Sequence, residues 1–260
     1  MYKEINKTRY NDTIMPKMWE ILKEIFSKTN FDEHQVLMLS LYGSQNYRIE
    51  NENSDIDCEC FIFPTKKNII FGESLYSTCI TTEYGTCHVK DIRAAFNELR
   101  KSSPNILEIF ASPYMIINEE YNAIIEEICF DVDYLAHLSP YKLMRGLDGL
   151  YNKYRKEMMI SNKAYANMLR IENMMTSVLH GKDYTLELVP HNYIALRDLK
   201  YQENIDEQLR EKTENGYSAI LRNNVNRFYE TTNPEQNKYV LKTINDLEEK
   251  LMTKYIKLEF

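Results

Sequence analysis

No apolar run in this 260-residue chain approaches the roughly 18 residues needed to cross a bilayer. The first ten residues, MYKEINKTRY, are polar and carry no signal-peptide core, so the expected location is the cytoplasm, with no membrane partner. Paired C-x-x-C clusters are absent: the 5 cysteines (Cys58, Cys60, Cys79, Cys87 and Cys129) sit in apolar or strand-like surroundings, which reads as reduced thiols and not as zinc ligands or disulfides. Excess positive charge is also missing. A net charge of -7 argues against a protein that coats nucleic acid non-specifically, although a local basic groove remains compatible with it. Internal repeats and low-complexity segments are not found.

What is present is an ordinary globular composition, 43% hydrophobic and 27% charged, on a chain long enough for a substantial core. The organising stretch runs from Gln35 to Phe63. Val36 to Tyr42 is a short continuous apolar run closed by Gly43-Ser44, as expected of a buried strand ending in a tight turn where a phosphate can approach the backbone. Asp55 to Phe63 reads as a second strand. Side chains two apart on a strand share a face, so Asp55 and Asp57 are expected to project together, with Ile56 turned into the sheet. Two adjacent carboxylates repel unless a cation lies between them, and hard divalent ions prefer oxygen, so the pair suits Mg²⁺ carrying substrate phosphates.

Gly43-Ser44-Gln45-Asn46-Tyr47 followed by Ser54-Asp55-Ile56-Asp57 resembles the signature of the DNA polymerase beta type nucleotidyltransferase superfamily. Three later segments, 103–110 (SPNILEIF), 163–170 (KAYANMLR) and 195–199 (ALRDL), bring the chain closer to the YcgL-like predicted nucleotidyltransferases of bacteria and phages. The resemblance implies an α+β fold: a small mixed-sheet catalytic domain, residues 1–132, followed by a helical domain, residues 133–260, that closes the cleft. It implies transfer of NMP from an NTP, ATP being the expected donor, to a hydroxyl acceptor with Mg²⁺ or Mn²⁺ bound by Asp55 and Asp57. The acceptor is left open among protein, small molecule and RNA, as is the oligomeric state.

The superfamily also has a third carboxylate on a neighbouring strand. Residues 77–92 read as two short strands around Tyr84-Gly85, but the apolar-acid-apolar pattern is absent there. Asp91 and His88 stand nearest the missing role, and Glu59 continues the face of Asp57 as another route. Asn105 and Glu108 fall in the second matching segment and are expected to line the cleft. Lys163, Asn167 and Arg170 occupy positions i, i+4 and i+7 of a helix spanning 161–180, one stripe of donors for a triphosphate. Arg197 is expected to close over the substrate.

Further helices are expected over 16–27, 91–101, 104–111, 140–159, 204–215 and 234–254, the proline-led ones with Ser103 and Ser139 as caps. Two other functions stay open: an enzyme modifying tRNA or RNA ends, for which Lys142, Arg145, Lys153, Arg155 and Lys156 are the only dense basic candidates, and a catalytically inactive module that binds nucleotide or protein.

Overall fold

In the computed structural model, residues 1–7, 11–72, 75–204 and 206–259 are described. The chain is mixed α+β. In order, the first half supplies β1 (Tyr2–Asn6), α1 (Ile14–Lys28), β2 (Val36–Tyr42), β3 (Asp57–Ile62), α2 (Lys66–Ile70), β4 (Ser77–Thr81), β5 (Thr86–Asp91), α3 (Ile92–Arg100), α4 (Pro104–Ala111), β6 (Tyr114–Asn118) and α5 (Asn122–Phe130). The second half is helical among its described residues: α6 (Val132–Ala136), α7 (Pro140–Glu157), α8 (Asn162–Leu179), α9 (Tyr193–Lys200), α10 (Glu207–Lys212), α11 (Ser218–Thr231) and α12 (Lys238–Glu259). The helix expected over 204–215 is shorter, and its tail becomes a π-turn at Thr213–Tyr217; residue 205 lies outside the described residues.

The strands form one six-stranded sheet in the order β1-β6-β2-β3-β5-β4. Only β3 and β5 run parallel; the other neighbours are antiparallel. Alternation along the strands divides the core. Leu39, Leu41, Cys58, Cys60, Cys87 and Val89 face one side, where α1 covers them with Ile14, Met18, Ile21 and Ile25. Met38, Phe61, Met115 and Ile117 face the other side and meet helices from both halves of the chain. The expected boundary at 132/133 falls within α6, after the last strand of the sheet has ended at Asn118, and a single apolar core runs across it. The closing helix completes that core: Tyr255 stacks on Phe63 at 4.1 Å and donates its hydroxyl hydrogen to the Pro64 carbonyl.

Local chemistry explains several boundaries. The Ser139 and Ser161 hydroxyls accept from the third amides of α7 and α8, relieving donors that have no partner inside the helix. Pro104 starts α4, where its missing N–H costs nothing. The second strand of the signature begins at Asp57, so Asp55 precedes it instead of belonging to it. The approach to β3 is held by Ile56 N–H donating to the Tyr84 carbonyl at 2.8 Å. A side chain at position 85 would place its Cβ 2.5 Å from the Ile56 carbonyl oxygen, so only glycine allows this crossing.

Candidate nucleotide cleft

Asp57 opens β3 opposite Tyr42 at the end of the sheet, on the face away from α1. One carboxylate oxygen accepts from Thr86 N–H at 3.1 Å. The other lies beside Gly43, where an added Cβ would stand 3.3 Å from it. Gly43 itself has φ of 81°, a conformation that L side chains rarely adopt, so both the turn and the approach to Asp57 require its lack of a side chain. Ser44 opens a 3₁₀ turn through Tyr47, closed by Asn46 N–H donating to the Gly43 carbonyl at 3.0 Å.

Against this turn opens a cleft of 260 Å³ whose walls come from both halves of the chain. Gly43, Ser44, Asp57 and Asn105 line it from the sheet side, and Lys163, Asn167 and Arg170 from α8. Seven of the twelve residues expected from the sequence thus share one cavity. Composition and spacing alone gave no reason to assign Tyr42, Leu150, Tyr154 and Lys200 there, yet they line it too, together with Lys153, which the sequence suggested only for RNA. Lys153 and Tyr154 come from α7, which packs along α8.

The α8 stripe divides into two roles. Lys163 is exposed at the cleft, whereas Arg170 is only 4% exposed and ion-pairs with Glu108 at 2.8 Å. Its guanidinium also covers the Tyr47 ring at 3.7 Å, and the Tyr47 hydroxyl donates to the second Glu108 oxygen at 2.5 Å. Burial pulls the Arg170 pKa down, but the adjacent Glu108 carboxylate more than reverses this and leaves it raised. Burial, reinforced by Glu108, likewise holds the Tyr47 hydroxyl well above its ordinary value. Arg170 is therefore a neutralised floor, not a free phosphate clamp. Glu108, 1% exposed, lies beneath the cleft and does not line it. The Asn167 amide donates one hydrogen to the Lys163 carbonyl at 3.0 Å, leaving its second N–H and its oxygen for a ligand.

Four expected residues stand elsewhere. Asp55 is exposed and outside the cleft lining. Asp91 pairs in register with Ile62, five residues along β3 from Asp57 or roughly 16 Å of strand rise. It is spent as the cap of α3, accepting from Arg93 N–H at 2.9 Å while the Arg93 guanidinium grips both its oxygens. His88 lies nearer, opposite Glu59, but is exposed and does not line the cleft. Arg197 lines a neighbouring cavity; Lys200, about one turn further along α9, reaches the cleft in its place.

Glu59 does share the face of Asp57, but it is ion-paired with Lys90 at 2.5 Å; burial raises its carboxyl pKa and Lys90 opposes the shift. Among the described residues, no three His, Cys, Asp or Glu side chains form a group that could hold a metal ion. A preformed protein cage is therefore not what these residues fit. They do fit an ion brought in by phosphates, since Mg²⁺ commonly takes one or two protein carboxylates and fills its shell with water and phosphate oxygens. The basic candidates for RNA are dispersed: Arg155 is held by Glu214, Arg145 lies over the Tyr229 ring at 5.6 Å, and Lys153 turns to the cleft. No helix among the described residues is long and apolar enough to cross a membrane. No family model and no curated protein matches this chain.

Proposed function

We propose that this protein is a metal-dependent nucleotidyltransferase, moving NMP from an NTP, with ATP the expected donor, to a hydroxyl acceptor. The observation that carries the reading is the cleft itself: a glycine turn, an aspartate and three lysines, drawn from both halves of the chain, line one cavity. The backbone of the 43–44 turn and the Ser44 hydroxyl receive phosphate oxygens. Lys163, Lys153 and Lys200 supply positive charge as flexible point contacts. Leu150 and Tyr154 offer an apolar wall for the base. Asp57 is the carboxylate that would hold Mg²⁺ or Mn²⁺, and the ion would neutralise phosphate charge and lower the pKa of the attacking hydroxyl. In the transfer, the acceptor oxygen bonds to the α-phosphorus, the bond to the β-phosphate oxygen breaks, pyrophosphate leaves, and the acceptor's proton passes to solvent. The protein's share is positioning.

A second reading, a nucleotide-binding module without catalysis, is favoured by the location of Asp91 and His88 outside the cleft. The two separate in one assay. The protein is incubated with each α-labelled NTP and Mg²⁺ or Mn²⁺, alone and with cell protein and RNA, and pyrophosphate release and label transfer are both scored. The transferase reading predicts release and transfer that Asp57→Asn abolishes; no release under conditions where Mg-NTP binds would establish the binding module instead.

A further inference from the structure

Where the ends of α6, α8 and α11 meet the start of α7, a separate cavity of 350 Å³ opens, and its lining shares no residue with the nucleotide cleft. Its walls are apolar and mainly aliphatic. Leu143 and Tyr184 are buried there, while Val178, Leu179 and Phe228 are only half-buried, so apolar surface stays open to the cavity. A concave space of this size, with apolar walls and few polar groups, has the character of a small-molecule site.

Its polar groups divide into those already engaged and those still free. The Tyr184 hydroxyl donates to the Pro104 carbonyl at 3.1 Å. Asp133, the single acid among the described lining residues, is spent on Thr185: one oxygen accepts from the backbone N–H at 2.8 Å and the other from the hydroxyl at 2.5 Å. Lys182 and His137 are exposed at the rim, and neither side chain has a hydrogen-bond or ion-pair partner among the described residues. The Thr232 hydroxyl, also in the lining, can donate as well as accept. A cationic ligand would meet Lys182 with no free acid to offset it, and an uncharged one would gain from its apolar surface alone. An apolar chain with an anionic head uses both the walls and the rim. We propose that this cavity binds a medium-chain aliphatic carboxylate, of the free fatty-acid class, its chain lying against Val178, Leu179 and Phe228 and its head accepting from Lys182 and His137. The site stands independently of the nucleotide cleft.

The test is calorimetric titration of the intact protein with hexanoate, octanoate and decanoate, each below its micelle concentration. Acetate serves as the head alone, and decanol and decylamine as the same chain without charge and with the opposite charge. Each pair of added methylenes should tighten binding about ten-fold until the cavity is filled, and acetate should not bind. Water at the rim screens the head contact, so decanoate should exceed decanol and decylamine by about three-fold or more. Lys182→Met should remove that preference while leaving the affinity for decanol unchanged; Lys182 is exposed, so folding of this variant is not at issue. Val178→Trp, which fills the cavity, should weaken every chain alike. Failure of decanoate to bind the wild-type protein, decanol or decylamine binding as tightly as decanoate, or an undiminished preference in Lys182→Met would overturn the proposal.

Discussion

The pair Arg170–Glu108 shows how a charged residue can line a cleft with its charge already neutralised. Both side chains are buried, so removing either partner strands the other charge in a poor solvent. Glu108→Ala is expected to destabilise the fold by about 3–5 kcal/mol, measured by urea unfolding, as for other broken buried pairs. Retention of full stability would mean that the pair is not formed. Glu172 is the opposite case, a buried carboxyl with one oxygen lacking a partner, whose pKa burial alone raises from 4.5 to about 7. The folded protein therefore holds a proton that the unfolded chain releases earlier. Stability from this group is complete below pH 4.5 and is lost as pH rises through about 7. Glu172→Gln should leave the melting temperature nearly unchanged at pH 4.5 and raise it at pH 8; an equal shift at both pH values would refute the assignment.

At the scale of elements, the decisive junction is that of β5 and α3. Asp91 reads in sequence as an acid at the end of a strand, a fair metal ligand, but its register carries it away from Asp57 and its oxygens go to Arg93. Asp91→Ala should cost about 1–3 kcal/mol through the lost cap and charged hydrogen bonds, with Mg-ATP affinity unchanged by calorimetry. A selective loss of ATP binding at full stability would return Asp91 to the site. The same contrast explains what was legible in the sequence. The helix starts at Ser139 and Ser161 and the strand ending at Gly43 are set by groups a few residues apart, and those signals were readable. The Arg170–Glu108 pair joins positions 62 apart, and β1 pairs with β6 across more than a hundred residues, so no local pattern announces either. Periodicity placed Lys163 and Arg170 on one stripe correctly, but the depth at which each meets the neighbouring elements decided that one is free and the other buried. On α9, a rotation of one turn sends Arg197 to one cavity and Lys200 to another.

Across the whole molecule, a chain of net charge -7 gathers Lys153, Lys163 and Lys200 at one opening. On the proposed function, a cleft of that sign on an acidic body would attract polyphosphates by its local field, and the attraction should weaken as salt shortens the Debye length. The continuous core beneath α3–α8 and α12 keeps the two walls of the cleft in register. Calorimetric titration of Mg-ATP, with AMP as the comparison, into the wild-type protein and Lys163→Ala tests the central claim most directly. A charge-assisted phosphate contact is worth roughly 1.5–3 kcal/mol, so Lys163→Ala should bind Mg-ATP about ten-fold or more weakly, with a much smaller loss for AMP. Absence of Mg-ATP binding to the wild-type protein, or equal effects of the substitution on ATP and AMP, would contradict the account.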